Sequence, residues 1–373
     1  MAVGPGPNLY IPSLDGMRAL AFLVVFVAHS MPFNILPGGF GVAVFFFLSG
    51  YLITTLLRGE AQKTGTISLK GFYTRRVLRI FPPCYLTIIV VGGLAAAGVL
   101  YNVESFKSLI SGFLYFSNYW NILGWGNLPA GLGVLWSLAI EEHYYLLYPL
   151  LYLCFVRRSI RPHNQAIALM ALCALALVWR CCRAFVMQSS WENIYEGTDT
   201  RFDAILFGCV LAIVANPRFD DRIGWLKKHA NLLAAGGALL IALTFVYRNV
   251  MFRETIRYTL QSIALMPIFF LVALPQRHVV TRFLESRVLR HLGRLSYSMY
   301  LIHHTLFHTF YHYYRPGILI AGIVFVLTFG YAQAMRTFVE LPIQRARSRA
   351  EKRGGAVVAI DSRKQELKTA AAK

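Results

Sequence analysis

Residues 14–29 read LDGMRALAFLVVFVAH, an apolar run with Arg18 near its start and His29 at its end. With its flanks it is long enough to cross a bilayer, which takes roughly 20 mostly apolar residues. Arg18 and His29 are eleven residues apart, so at 100° per residue they differ by only about 20° of rotation on an α-helix and lie roughly 16 Å apart along its axis. One face of one span therefore holds a guanidinium low and an imidazole high. A charged side chain at the bilayer centre costs from about 2.5 to over 10 kcal/mol, so such a pair calls for either a functional role or a snorkelling Arg with a carbonyl-bonded His.

Working outward, the pattern recurs along the chain. The 373 residues are 57% hydrophobic and 14% charged, with a mean hydropathy of +0.52, which excludes a soluble globular domain of this length. Ten apolar spans are expected, at about 16–33, 39–57, 83–101, 136–156, 165–187, 202–215, 231–247, 256–274, 291–314 and 316–339. The fold class is an all-α, polytopic transmembrane helical bundle. Residues 106–123 are apolar but broken by Ser111, Gly112, Ser117 and Asn118, and read as an interfacial or re-entrant piece.

The net charge of +20 does not imply nucleic acid, because it falls on alternate loops. With both termini cytoplasmic, the inner loops and tail hold 26 of the 37 Lys and Arg, and the outer loops hold six: Lys107, Arg201, Arg248, Arg253, Arg257 and Arg315. That is the positive-inside bias of a multi-pass protein of a plasma (inner) membrane. No Lys or Arg precedes Arg18 and no small-residue cleavage site follows the first run, so that run is expected to be kept as a span. The six cysteines lie in or beside spans without CxxC spacing and read as small buried residues. Residues 1–345 form the expected membrane domain, and 346–373 a polar, basic, disordered cytoplasmic tail.

Further ionisable groups cluster in the apolar regions. FYTRRVLRIFPP (72–83) places Arg75, Arg76 and Arg79 beside the third span. Arg76 and Arg79 share a helix face and could grip a phosphate, or could serve as an inner anchor cluster. Pro82 and Pro83 are expected to end that helix. WSLAIEEHYYLLYP (136–149) puts Glu141 and Glu142 about one turn into an apolar helix, with Arg180, Arg183 and Arg201 as candidate partners. TDTRFDAILFG (198–208) brings Asp199, Arg201 and Asp203 to the end of a short span that suits a bundle interior or cavity edge. His304, His308 and His312 follow i, i+4, i+8. A shared metal is the less favoured reading, since no Asp, Glu or Cys completes the set nearby.

Together these pieces resemble the integral-membrane acyltransferase family 3, bacterial O-acyltransferases that modify surface polysaccharides and related glycans. The resemblance is carried, in family order, by LDGMRALAFLVVFVAH (14–29), GGFGVAVFFFLSGYLIT (38–54), FYTRRVLRIFPPCY (72–85), WSLAIEEHYYLLYP (136–149), TDTRFDAILFG (198–208), LGRLSYSMYLIH (292–303) and FVELPIQR (338–345). It implies that Arg18 and His29 are required, with His29 as general base assisted by Glu141 or Glu142. It also implies that Arg76 and Arg79, with Arg75 and Tyr73 beside them, meet an acyl-CoA donor. Trp136, Arg201, Asp203, His303 and Glu340 are the expected substrate-binding set.

The implied reaction is transfer of an acyl group, acetyl by preference, from cytoplasmic acyl-CoA to a hydroxyl of a carbohydrate or glycoconjugate. Acyl-CoA is a co-substrate here, with no permanently bound cofactor and no metal. Histidine is the most usable base near neutrality for removing an alcohol's proton, and guanidiniums suit the phosphates of CoA. Membrane lipids, acyl-CoA and the glycan are the implied partners, with self-association left open. Relatives often carry a hydrolase-like domain after the membrane part, whereas fewer than 35 residues follow Glu340 here, so acceptor chemistry is expected in the membrane domain or with a separate partner. A macrolide or lipid acceptor is the first alternative. A proton-coupled transporter is the second, although the internal repeat it would call for is absent.

Overall fold

The computed structural model describes residues 9–30, 38–221, 223–276 and 278–349. The expected tail lies outside the described residues beyond Arg349. The described residues are helical, with no strands among them. Ten long helices fall on the ten expected segments: α1 (Pro12–Ser30), α2 (Gly38–Thr64), α3 (Leu69–Ala96), α4 (Leu135–Arg157), α5 (Pro162–Cys181), α6 (Thr198–Val214), α7 (Gly224–Val246), α8 (Ile256–Ala273), α9 (Arg287–Tyr313) and α10 (Ile318–Met335). Seven are long and apolar enough to cross a membrane, which makes this a multi-pass membrane protein. The other three are α4, α6 and α9. The first and last carry several ionisable residues, and α6 has only 17 residues. Residues 106–122 form short helical turns, not a span.

Four helices make the centre. α1 packs between α2 and α9, and α6 packs against α2, α5 and α8. The short span thus lies inside the bundle, as its length suggested. Small residues set the closest approaches. A methyl group on Gly50 would overlap the carbonyl of Ile205, one on Gly208 would overlap that of Phe47, and one on Gly293 would overlap that of Asp15. Such contacts let neighbouring backbones touch where lipid supplies no hydrophobic drive. The first two draw α2 against α6, and Gly293 draws α9 against α1, the helices that carry the histidines described below.

One sequence expectation fails. α3 runs unbroken from Leu69 to Ala96, through Pro82 and Pro83. A proline in a helix removes a donor, but buried neighbours can serve the strained turn in a membrane protein. The carbonyls left without a helical donor are those of Leu78 and Arg79, and beside them Tyr297 on α9 donates to the carbonyl of Ile80 (2.8 Å) and Thr87 to that of Pro83 (2.7 Å), which brace the turn. Arg76 and Arg79 therefore belong to the same rigid rod as the apolar half of α3.

Candidate active site

Three cavities follow one another through the bundle. At the α3 end, a cleft of about 450 Å³ is lined by Lys63, Arg75, Arg76, Arg79 and Arg347, with Glu60 as its acidic residue. Arg76 and Arg79 also line a second, smaller cavity of about 120 Å³, with Arg18, Glu141, Tyr145 and Tyr300. Val42 and Tyr300 line that cavity and also a third, of about 700 Å³, which holds His29, Trp136 and His304. A basic mouth is thus linked to His29 by residues common to adjoining spaces.

His29 is oriented by a short chain of hydrogen bonds. His303 on α9 is fully buried, and its Nδ1 lies 2.7 Å from the carbonyl oxygen of Tyr300. A carbonyl only accepts, so this Nδ1 carries the proton and Nε2 of His303 is the acceptor. That Nε2 lies 3.0 Å from Nδ1 of His29, which must then be the donor. His29 is left with Nε2 as its basic nitrogen, in a ring that lines the large cavity. His304 meets the His29 ring edge to face, with centroids 4.9 Å apart, and its Nδ1 is held by the carbonyl of Gly131 at 2.7 Å. Gly131 has φ +74°, and a side chain there would run into His308 and Thr305, so glycine is needed.

The small cavity has its own order. Glu141 accepts from Ser49 and Tyr145, each at 3.1 Å. Arg76 lies over the Tyr145 ring at 5.4 Å, and Arg18 is paired with Asp15 at 3.0 Å. This corrects the expected partners of the glutamates. Arg180 pairs with Asp203 and Arg183 with Asp199, while Glu141 lies with Arg18 and Arg76 in the small cavity next to that of His29. Glu142 has a buried oxygen with no hydrogen-bond partner and lines none of these cavities.

Several expected site residues serve the scaffold instead. Asp203 is fully buried, accepting from Arg180 at 3.1 and 2.8 Å and from Thr259 at 2.8 Å. Arg180 also donates to the carbonyl of Thr200. Arg201 is fully buried over the ring of Tyr258 (3.9 Å), behind the cavity wall. Neither lines any of the three cavities. Removing one partner of a buried pair leaves an uncompensated charge, so Asp203→Ala is expected to destabilise the fold by about 3–5 kcal/mol. The check is a sharp drop in the monodisperse fraction after detergent extraction.

Tyr73 donates to the carbonyl of Leu146 (2.8 Å) and ties α3 to α4, Arg75 pairs with Glu60 (3.1 Å), and Glu340 accepts from Ser298 (2.7 Å). Trp136 does line the His29 cavity. Among the described residues, no group of three His, Cys, Asp or Glu is placed to hold a metal. The sequence reading missed Tyr300, whose i, i+3 spacing from His303 was a usable signal for a shared face.

Peptidoglycan O-acetyltransferase OatA of Listeria monocytogenes is 32% identical over 358 residues, covering 90% of this chain and 56% of that protein. O-acetyltransferase OatA of Staphylococcus aureus is also 32% identical over 358 residues, covering 90% and 57%. The chain thus spans about half the length of the curated relatives it matches. No solved structure matches it. Residues 11–335 match the acyltransferase domain family, and the chain therefore belongs to the integral-membrane acyltransferase family 3.

Proposed function

We propose that this chain is a membrane O-acetyltransferase that moves an acetyl group from acyl-CoA to a hydroxyl of a carbohydrate or glycoconjugate, with His29 as general base. The supporting observation is the tautomer of His29, whose Nδ1 donates to His303 so that Nε2 can take a proton in the large cavity. The CoA phosphates sit at Arg76, Arg79 and the neighbouring basic cleft, where several guanidiniums face few carboxylates. The pantetheine arm passes Arg18 and Glu141 and brings the thioester to the Val42 and Tyr300 partition. The acceptor oxygen attacks the thioester carbon, and its proton goes to His29 Nε2. The new C–O bond forms as the C–S bond breaks, and the thiolate leaves towards the basic mouth with the electron pair. His303 keeps its Nε2 on the His29 Nδ1–H and so supports the imidazolium that forms. In this reading the protein lies in the plasma membrane, with its termini and the basic mouth cytoplasmic.

The test follows acetyl mass. Purified protein in nanodiscs with isotope-labelled acetyl-CoA is expected to place label, as a base-labile ester, on oligosaccharides from the producing cell's envelope. Mass spectrometry of those glycans with and without the gene should show the same added acetyl group. Label that stays on CoA, or appears only as free acetate with every glycan fraction, would defeat the reading.

A further inference from the structure

The large cavity carries a charge that topology does not explain. Of the six basic residues assigned to outer loops, Arg248, Arg253 and Arg257 fall within ten residues, and all three line the cavity that holds His29. Positive-inside bias works against basic residues on this side, so their grouping calls for a local cause. Arg253 has a carboxylate nearby, Glu254 at 3.7 Å. No salt bridge joins Arg248 or Arg257 to a carboxylate among the described residues, and the buried Nε of Arg257 has no hydrogen-bond partner.

The acidic residue lining this cavity is Glu196, which accepts from Asn121 at 3.0 Å. Burial pushes its carboxyl up to about 7, against the opposing pull of the Asn121 hydrogen bond, so near neutral pH it is only partly ionised and does not balance three arginines.

The same cavity has a run of aromatic faces. Trp191 stacks on Tyr195 with centroids 4.4 Å apart at 18°, and Trp136 meets Tyr195 at 4.8 Å. Tyr258 continues the run at 6.2 Å from Tyr195 and lies beside Arg257 at 5.5 Å. Flat, rigid rings suit the apolar face of a sugar, and exposed guanidiniums suit an anion. A neutral acceptor would use the first feature and leave the second idle.

We infer that the His29 cavity is built for an acidic saccharide, with a sugar ring against the side chains of Trp136 and Trp191 and a carboxylate or phosphate of the same molecule on Arg248 and Arg257. This rests on the acetyltransferase reading for the acceptor's hydroxyl, but the binding step does not need turnover. Such a ligand fills the charge deficit of the cavity while its hydroxyl reaches Nε2 of His29. The arginines then select the acceptor, and His29 acts on it.

The test uses the full chain in phosphatidylcholine nanodiscs and three probes: chitotetraose, its 1-phosphate, and a hyaluronan tetrasaccharide bearing glucuronate carboxylates. Binding is read by quenching of tryptophan fluorescence, since Trp136 and Trp191 line the cavity. At least one acidic probe is expected to bind about tenfold or more tighter than chitotetraose, with the advantage shrinking as salt rises. Which of the two acidic probes gains tells phosphate from carboxylate. The double variant Arg248→Gln, Arg257→Gln is expected to lose the preference while keeping its melting temperature.

Equal affinity for all three probes, binding of none, or a preference that survives in the double variant overturns the inference. So does a variant-sensitive preference for phosphatidylglycerol in the disc without discrimination among the sugars, which assigns the arginines to lipid. Calorimetry with acetyl-CoA reports on the other end of the bundle. Its failure would remove the donor assignment and leave the sugar preference to be judged by itself.

Discussion

His29→Ala is expected to lower kcat for acetyl transfer by about 10²–10⁴-fold, the range that general-base removal usually costs. Expression, membrane insertion and acetyl-CoA affinity should be unchanged, because His29 touches the acceptor cavity and not the basic cleft. The dyad makes a finer prediction. His303→Phe removes the acceptor that fixes the His29 tautomer and should cost less than His29→Ala. His303→Gln offers an amide oxygen to the same Nδ1–H and should recover part of that loss. Full activity in purified His29→Ala, or equal rates in the two His303 variants, would remove the base assignment and the tautomer argument respectively.

The second large effect concerns the donor. Replacing Arg76 and Arg79 together with Ala should raise the donor KM and weaken CoA binding by about 10–100-fold, with a smaller change in kcat, since both residues line the cleft and the small cavity but lie away from His29. Neither is on the central α1, α2, α6 and α9 contacts, so thermal stability should change little. Unchanged CoA affinity by calorimetry would return these arginines to an anchoring role at the membrane surface.

How much of this was legible depends on whether the information lay within one helix or between two. Arg18 and His29 sit on one rod, so periodicity alone placed one at each end of the path. The charged residues of α6 were equally visible, but their spacing left a bundle interior and a cavity edge both open. Asp203 and Arg180 are 23 residues apart and meet across a helix packing that no spacing rule supplies. The partners of Glu141 were hidden for the same reason, because Ser49 and Arg76 reach it from α2 and α3. Pro82 and Pro83 misled by a different route. Their rule assumes water at hand to take over the freed backbone, whereas this turn lies among buried side chains, with Tyr297 and Thr87 bonded to the carbonyls of Ile80 and Pro83 beside it. The arginines at 248, 253 and 257 were counted as exceptions to a charge bias, and only the cavity shows that they are neighbours.

Val42 and Tyr300 are the side chains common to the spaces on either side of them. A passage running the length of the bundle would short-circuit the cell's ion gradients each time a substrate left it. Tyr300, held by Ser137 at 2.8 Å, narrows the boundary between the two spaces, so two substrates entering from opposite sides and meeting there plug the passage while they react.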